Sequence, residues 1–179
     1  MLKKAFFAGG CFWCTESIFG NVKGVLDVVP GYMGGHVKRP AYREVCNGNT
    51  GHTETIQITY DSALVTYVTL LEIFFHTHDP TTLNRQGNDV GTQYRSAVFY
   101  NNLDEKKEIE QIVESLTKEA VFENPIVTEI LPECPFYEAE SEHRDYYRRN
   151  TEQPYCQYVI TPKLKKFKSL FNQLIESNE

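Results

Sequence analysis

Residues 9–16, Gly-Gly-Cys-Phe-Trp-Cys-Thr-Glu, set two thiols beside an aromatic pair. A short apolar run over residues 5–8 precedes them and reads as a strand, the two glycines give a sharp turn, and the residues to about Phe19 look helical. Cys11 then falls at a strand-to-helix turn, where unpaired backbone N–H groups lower a thiol's pKa. Trp13 is the chain's one tryptophan. A thiolate beside Phe12 and Trp13 fits a nucleophile with an apolar pocket; the same three residues also fit inert core packing. The Cys11-x-x-Cys14 spacing fits a thioredoxin-type dithiol or half of a zinc site. Zinc needs a second ligand pair, and no other C-x-x-C or C-x-x-H occurs.

A second chemical group sits in residues 53–60, which alternate cleanly. Ile56, Ile58 and Tyr60 share one face and Thr55, Gln57 and Thr59 the other, so period two puts Glu54 on the apolar face. A carboxyl there is costly to ionise; its pKa rises and it can donate a proton near neutrality. The alternative is that Glu54 lies at the strand end and reaches water. His76-x-His78-Asp79 resembles a ligand string but has no partner cluster, so these read as satisfied loop histidines. Cys46, alone between Val45 and Asn47, reads as packing.

The elements that must position these groups follow from spacing. Residues 25–29 read as a strand, ended by Pro30 and a glycine-rich loop that holds Tyr32; residues 36–49 read as irregular. Residues 64–75 carry a helical stripe with Asp61-Ser62 as its cap. Residues 81–95 form a long polar loop, of a kind that is more often functional than idle. Residues 96–100 and 126–131 read as strands, and 103–122 as a helix opened by Asn102 and Glu105. Residues 138–149 read as a charged surface helix and 153–157 as a loop. Thr161 and Pro162 start a last helix, about 162–177.

The totals narrow the class. With 179 residues, 41% of them hydrophobic, the chain suffices for one domain with a real core. A net charge of −6 argues against nucleic-acid binding. Five irregularly spaced cysteines do not fit a secreted disulfide scaffold, and a reducing compartment suits them better. No stretch is long and apolar enough to span a membrane, and the start of the chain is too soon broken by Gly9-Gly10 to be a signal peptide.

Read together, the motifs resemble a known family. Gly10-Cys11-Phe12-Trp13 resembles the signature of the type A peptide methionine sulfoxide reductases. Gly31-Tyr32 with Gly34-Gly35 is similar to that family's second motif, and Tyr42-Arg43-Glu44-Val45-Cys46 with Gly51-His52-Thr53-Glu54 to its third. The stretch from Gly87 through Asn88, Asp89, Gln93 and Tyr94 to Ala97 is similar to its fourth, and the likeness runs in order from Lys4 to Cys156.

The resemblance implies an α+β fold: a two-layer sandwich with a mixed sheet, a ferredoxin-like core and packed helices, as one catalytic domain over residues 1–179. It implies Cys11 as nucleophile at the sulfoxide sulfur, Phe12 and Trp13 as the wall holding the S-methyl group, and Glu54 as proton donor. Tyr32 and Tyr94 would assist by hydrogen bonds, and Asp89 would order the site. Cys156 would resolve the Cys11 sulfenic acid, with Cys14 as second candidate, and thioredoxin would reduce the disulfide. Cys46 matches a family cysteine outside that relay, and Cys134 has no assigned role. The last helix holds no cysteine, so no third relay step is expected. Substrates would be oxidised proteins and free methionine S-sulfoxide. No metal or organic cofactor, a monomer and a cytoplasmic location complete the expectation. The rival readings are a C-x-x-C oxidoreductase acting on protein disulfides and a small zinc-binding module.

Overall fold

The computed structural model describes residues 1–176. Strand β1 (Leu2–Gly9) runs into helix α1 (Phe12–Phe19), and strand β2 (Val25–Met33) follows. A short helix α2 (Tyr42–Cys46) precedes strand β3 (Thr53–Asp61) and helix α3 (Tyr67–Thr77). A two-strand hairpin, β4 (Arg85–Gln86) and β5 (Asp89–Val90), leads to strand β6 (Ser96–Tyr100). Then come helix α4 (Leu103–Lys118), strands β7 (Glu129–Pro132) and β8 (Tyr137–Glu138), and the single-turn helix α5 (Tyr146–Arg149). A π-helical turn, Cys156–Ile160, continues directly into helix α6 (Thr161–Leu170).

The six-stranded sheet has the order β7-β6-β1-β3-β2-β8, antiparallel except for the parallel β6–β7 pair. Its four central strands alternate with α1 and α3 as βαββαβ, which is the expected ferredoxin-like core on a mixed sheet. Period-two alternation divides β1 between two apolar layers. Ala5 and Phe7 join Ile56, Ile58 and Tyr60 of β3 under the helices; Phe6 and Ala8 join Met33 and Phe99 on the other face, under Leu131, Cys134 and Phe136. Phe7 anchors the helical layer, with ring centroids 5.6 Å from Phe19 and 5.0 Å from Phe74. Burying each such side chain stabilises the fold by roughly 1.5–3 kcal/mol.

Several expected boundaries move, each for a local reason. Tyr32 lies inside β2, not in a loop, because β2 continues through Pro30 and Gly31 to pair Tyr32 with Glu54 across the sheet. Helix α3 is capped by Thr66, whose hydroxyl accepts the Thr69 N–H at 3.1 Å; Asp61 instead caps a turn through Ala63 N–H, leaving Leu64 exposed. In residues 138–149 no continuous helix forms. The positive φ of Asp145 (55°) breaks the run between a 3-10 turn, Ser141–His143, and α5. Cys156 is not in a loop: the helical turn that carries it runs on into α6, so Thr161 is no cap and its hydroxyl pairs with that of Tyr147 at 2.7 Å. Helix α4 ends at Lys118 and α6 at Leu170; residue 177 of the expected last helix lies outside the described residues. Residues 36–49 contain α2, and the 81–95 loop contains the β4–β5 hairpin. Among the described residues no helix is long and apolar enough to cross a membrane.

The loop after β2 is fastened to the start of β3. Gly35 N–H donates to His52 Nδ1 at 3.0 Å, which leaves the ring proton on Nε2 to donate to the Val37 carbonyl at 2.6 Å. A Cβ at Gly35 would meet the backbone of Thr50 and His52, neither of which can swing aside. Gly35→Ala is therefore expected to lower stability by about 1–3 kcal/mol, read as an earlier denaturant midpoint.

Candidate active site

The site forms where the β1–α1 turn meets the start of β3. Gly10 makes the turn with φ +92°, a backbone conformation that favours glycine, and a Cβ there would strike the Gln86 side chain. Cys11 is the N-cap residue of α1, and its carbonyl accepts the Cys14 N–H at 3.1 Å. Across the sheet, Glu54 is 2% exposed; its Oε1 accepts the Phe12 N–H at 3.1 Å while its Oε2 has no hydrogen-bond partner among the described residues. The apolar-face placement of this carboxyl has the expected result. Burial pushes Glu54 up to about 8, against the lowering effect of the Phe12 N–H.

The thiols depart from expectation. Cys11 is buried, and that burial raises its pKa well above the usual thiol value; the neighbouring Cys14 thiol and the Glu54 carboxyl raise it further. The backbone N–H at Trp13 lowers it only weakly, so the helix terminus does not prevail over desolvation. Cys14 moves the other way, lowered first by the neighbouring Cys11 thiol and then by Lys163 and Tyr155. Cys156 is fully buried and packs with Cys11, Cys14 and Ile160 in one apolar cluster flanked by Trp13, Tyr147 and Tyr155. All five cysteines are free thiols.

The other expected site residues converge here as well. Phe12 lies 5.7 Å from the Tyr32 ring, and Trp13 stacks on Tyr146 at 3.8 Å and 10°. Tyr32 is fully buried and donates its hydroxyl to Glu140 Oε1 at 3.3 Å. Tyr94, at the end of a 3-10 turn, has its phenol pKa raised by burial and then by Glu54, Cys46, Asp89 and Cys11. Asp89 accepts the Tyr155 hydroxyl at 2.7 Å, and the same hydroxyl is 4.0 Å from the Cys14 sulfur.

Sequence reasoning missed the cover of the site. Tyr42 stacks near Phe12 (6.2 Å, 23°) and His143 receives the Trp13 indole N–H at 3.1 Å. Glu16 of α1, 9% exposed, accepts the Asp145 N–H at 3.0 Å, and burial raises it to about 7. The available signal was a histidine among the tyrosines and charges of residues 138–149, read as a solvated face. His78 meets its expected reading: it is buried between the Phe74 carbonyl and the Ser96 hydroxyl, and burial lowers it to about 4. Among the described residues Glu140, Glu142 and His143 bring ligand atoms within 4.8 Å of one another, but the Glu140 oxygens already accept from Tyr32 and Tyr42.

A buried thiol at a helix start near a carboxyl that burial raises to about 8 is the kind of site a thiol oxidoreductase carries, and comparisons with known proteins place the chain in that class. A family model described as peptide methionine sulfoxide reductase matches residues 3–175. The chain is 50% identical over 178 residues to the peptide methionine sulfoxide reductase MsrA of Saccharolobus solfataricus, covering 99% of each. The reduced form of Mxr1 from Saccharomyces cerevisiae aligns with a TM-score of 0.79 at 34% identity, covering 87% of this chain and 89% of that one. Mxr1 in complex with Trx2 aligns with a TM-score of 0.55 at 26% identity, covering 81% of this chain and 84% of that one. The chain belongs to the peptide methionine sulfoxide reductase family, in its type A branch.

Proposed function

We propose that this protein reduces methionine S-sulfoxide, in proteins and as the free amino acid, through a Cys11 sulfenic acid. The observation that carries the reading is the pairing of the Cys11 thiol with a Glu54 carboxyl raised to about 8. A sulfoxide oxygen leaves sulfur poorly unless it is protonated, and an acid still protonated at pH 7 meets that need. A plain dithiol–disulfide exchange breaks no sulfur–oxygen bond and so does not require an acid that is still protonated at pH 7.

In this reading the Cys11 sulfur attacks the sulfoxide sulfur, with the S-methyl group against Phe12 and Trp13. Glu54 gives its proton to the sulfoxide oxygen and takes up the thiol proton, so no net proton is needed. Tyr32 and Tyr94 hydroxyls stabilise the charge that develops on the oxygen, and Asp89 orders Tyr155 beside the thiols. Oxygen passes to Cys11 as the sulfenic acid, and methionine leaves as the thioether. The Cys156 thiol then displaces water from that acid and forms a disulfide. Thioredoxin returns both thiols; the Mxr1 relative, with its Trx2 complex, supports that reductant. Five irregularly spaced cysteines suit a reducing cytoplasm.

Single turnover by the pre-reduced protein tests this directly. One methionine per chain from the S epimer alone, with two thiols lost, is the expected result; no methionine from either epimer overturns it. Cys156→Ala is expected to stop at a sulfenic acid that dimedone traps, whereas Cys14→Ala still closes the disulfide. The reverse pattern assigns resolution to Cys14, which packs in the same cluster as Cys11.

A further inference from the structure

His143 is 4% exposed although it lies in a stretch of charged residues. Its ring sits under the aromatic wall, with centroids 5.4 Å from Phe12, 4.4 Å from Tyr42 and 5.8 Å from Trp13. The Trp13 Nε1–H donates to His143 Nδ1 at 3.1 Å. An indole nitrogen only donates, so Nδ1 carries a lone pair and the proton of the neutral imidazole is on Nε2. That Nε2 is buried without a hydrogen-bond partner among the described residues, and Glu140 Oε2 and Glu142 Oε1 each lie 3.9 Å from it. Glu140 accepts the Tyr32 hydroxyl on Oε1 at 3.3 Å and the Tyr42 N–H on Oε2 at 3.2 Å.

We propose that His143 is a positioning residue for sulfoxide binding: its Nδ1 holds the Trp13 indole in the plane that receives the S-methyl group, and its Nε2–H edge faces the carboxylate that tethers Tyr32. The proposal rests on Trp13 being that wall. Trp13 is only half-buried; it stacks on Tyr146, meets Tyr155 edge-on at 6.0 Å and lies 6.3 Å from Tyr42, contacts that are apolar and non-directional, so the indole N–H bond is what fixes its rotation. One neutral imidazole thereby couples the apolar and the hydroxyl sides of the pocket.

Protonation breaks the device, because a charged imidazole has no lone pair left for the indole. The titratable groups facing His143 are Glu140 and Glu142 from its own stretch and the Tyr42 phenol from α2; Phe12 and Trp13 of α1 bring no charge. Burial lowers its pKa below the usual histidine value, while the two glutamates oppose that shift. The bond to Trp13 thus persists at neutral pH and is lost in acid.

Trp13, as the sole tryptophan, reports on its own environment by intrinsic emission. Losing the bond is expected to raise KM for an S-sulfoxide peptide about tenfold in His143→Leu, with the saturating single-turnover rate changed less than about threefold and Trp13 emission shifted to the red. His143→Asn places an acceptor oxygen near the Nδ1 position and is expected to bring KM back to within about threefold of the parent. In the Trp13→Phe background, His143→Leu should add nothing. The parent's emission should change on acid titration, below the ordinary histidine range, and that of His143→Asn should not. Unchanged KM and emission in His143→Leu overturn the proposal, as does an Asn variant as impaired as the Leu variant. If His143→Leu fails to fold, His143→Gln, which leaves Nδ1 empty, replaces it; equal KM in Gln and Asn overturns the proposal. A parent protein that turns over no sulfoxide refutes the activity instead, and the emission titration still decides the Trp13–His143 bond.

Discussion

Glu54→Gln is expected to slow the first turnover by about a hundred- to ten-thousand-fold, the range for losing a positioned general acid, and at the same time to stabilise the protein. The first effect follows from chemistry: an amide has no proton to give to the sulfoxide oxygen. The second follows from linkage. The folded carboxyl titrates near 8 and an unfolded glutamate near ~4.3, so between those values the native state holds a proton that the unfolded state lacks. Stability therefore falls as pH rises through that window and is level above it. The full cost at pH 9 is about 5 kcal/mol, from which an unpaired buried amide N–H group removes roughly 1–3. A net gain of roughly 2–4 kcal/mol at pH 9, turning into a loss of roughly 1–3 kcal/mol near pH 4 where only the amide penalty remains, is expected for the glutamine variant. Paired unfolding curves at the two pH values measure it. In the parent, the single-turnover rate should decline as pH rises through about 8 with loss of the acid; the variant should lack that limb. A glutamine variant no more stable than the parent at pH 9 removes the premise that burial keeps Glu54 protonated.

Cys11→Ser is expected to abolish methionine formation in single turnover while leaving the fold intact. The serine hydroxyl cannot form the sulfur–oxygen bond that accepts the oxygen. Stability should fall by about 1–3 kcal/mol, because a hydroxyl replaces a small, largely apolar thiol in the buried cluster. The raised Cys11 thiol adds a second measurement. Its alkylation by iodoacetamide should stay slow through neutral pH and accelerate only above the usual thiol range, since the thiolate is the reacting form. Cys14, held lower by its partners, should react at lower pH wherever reagent reaches it. Methionine formed by Cys11→Ser but lost on adding Cys14→Ala would transfer the nucleophile to Cys14.

The sequence by itself determined the chemistry-bearing positions and most of the sheet. Period-two alternation placed Glu54 among Ile56, Ile58 and Tyr60, and the same alternation makes that carboxyl buried and raised. Gly10 after β1 fixed the turn that presents Cys11, because only a residue without a Cβ fits beside Gln86 at that φ. These are local rules, and local rules are readable along the chain.

Only the tertiary structure decided the direction of the Cys11 shift and the role of residues 138–149. A helix start lowers a thiol locally, but the layers packed over Cys11 exclude water, and desolvation is the larger effect. Likewise the run from Glu138 to Arg149 is polar enough to read as a solvated helix. Its histidine is buried because Trp13, 130 residues away in sequence, supplies the hydrogen bond that makes burial tolerable. Cys156 follows the same logic: its turn reads as a loop until Cys11, Cys14 and Ile160 give it an apolar cluster to complete. Contacts at such separation depend on which surfaces the fold brings together, and no local pattern carries that information.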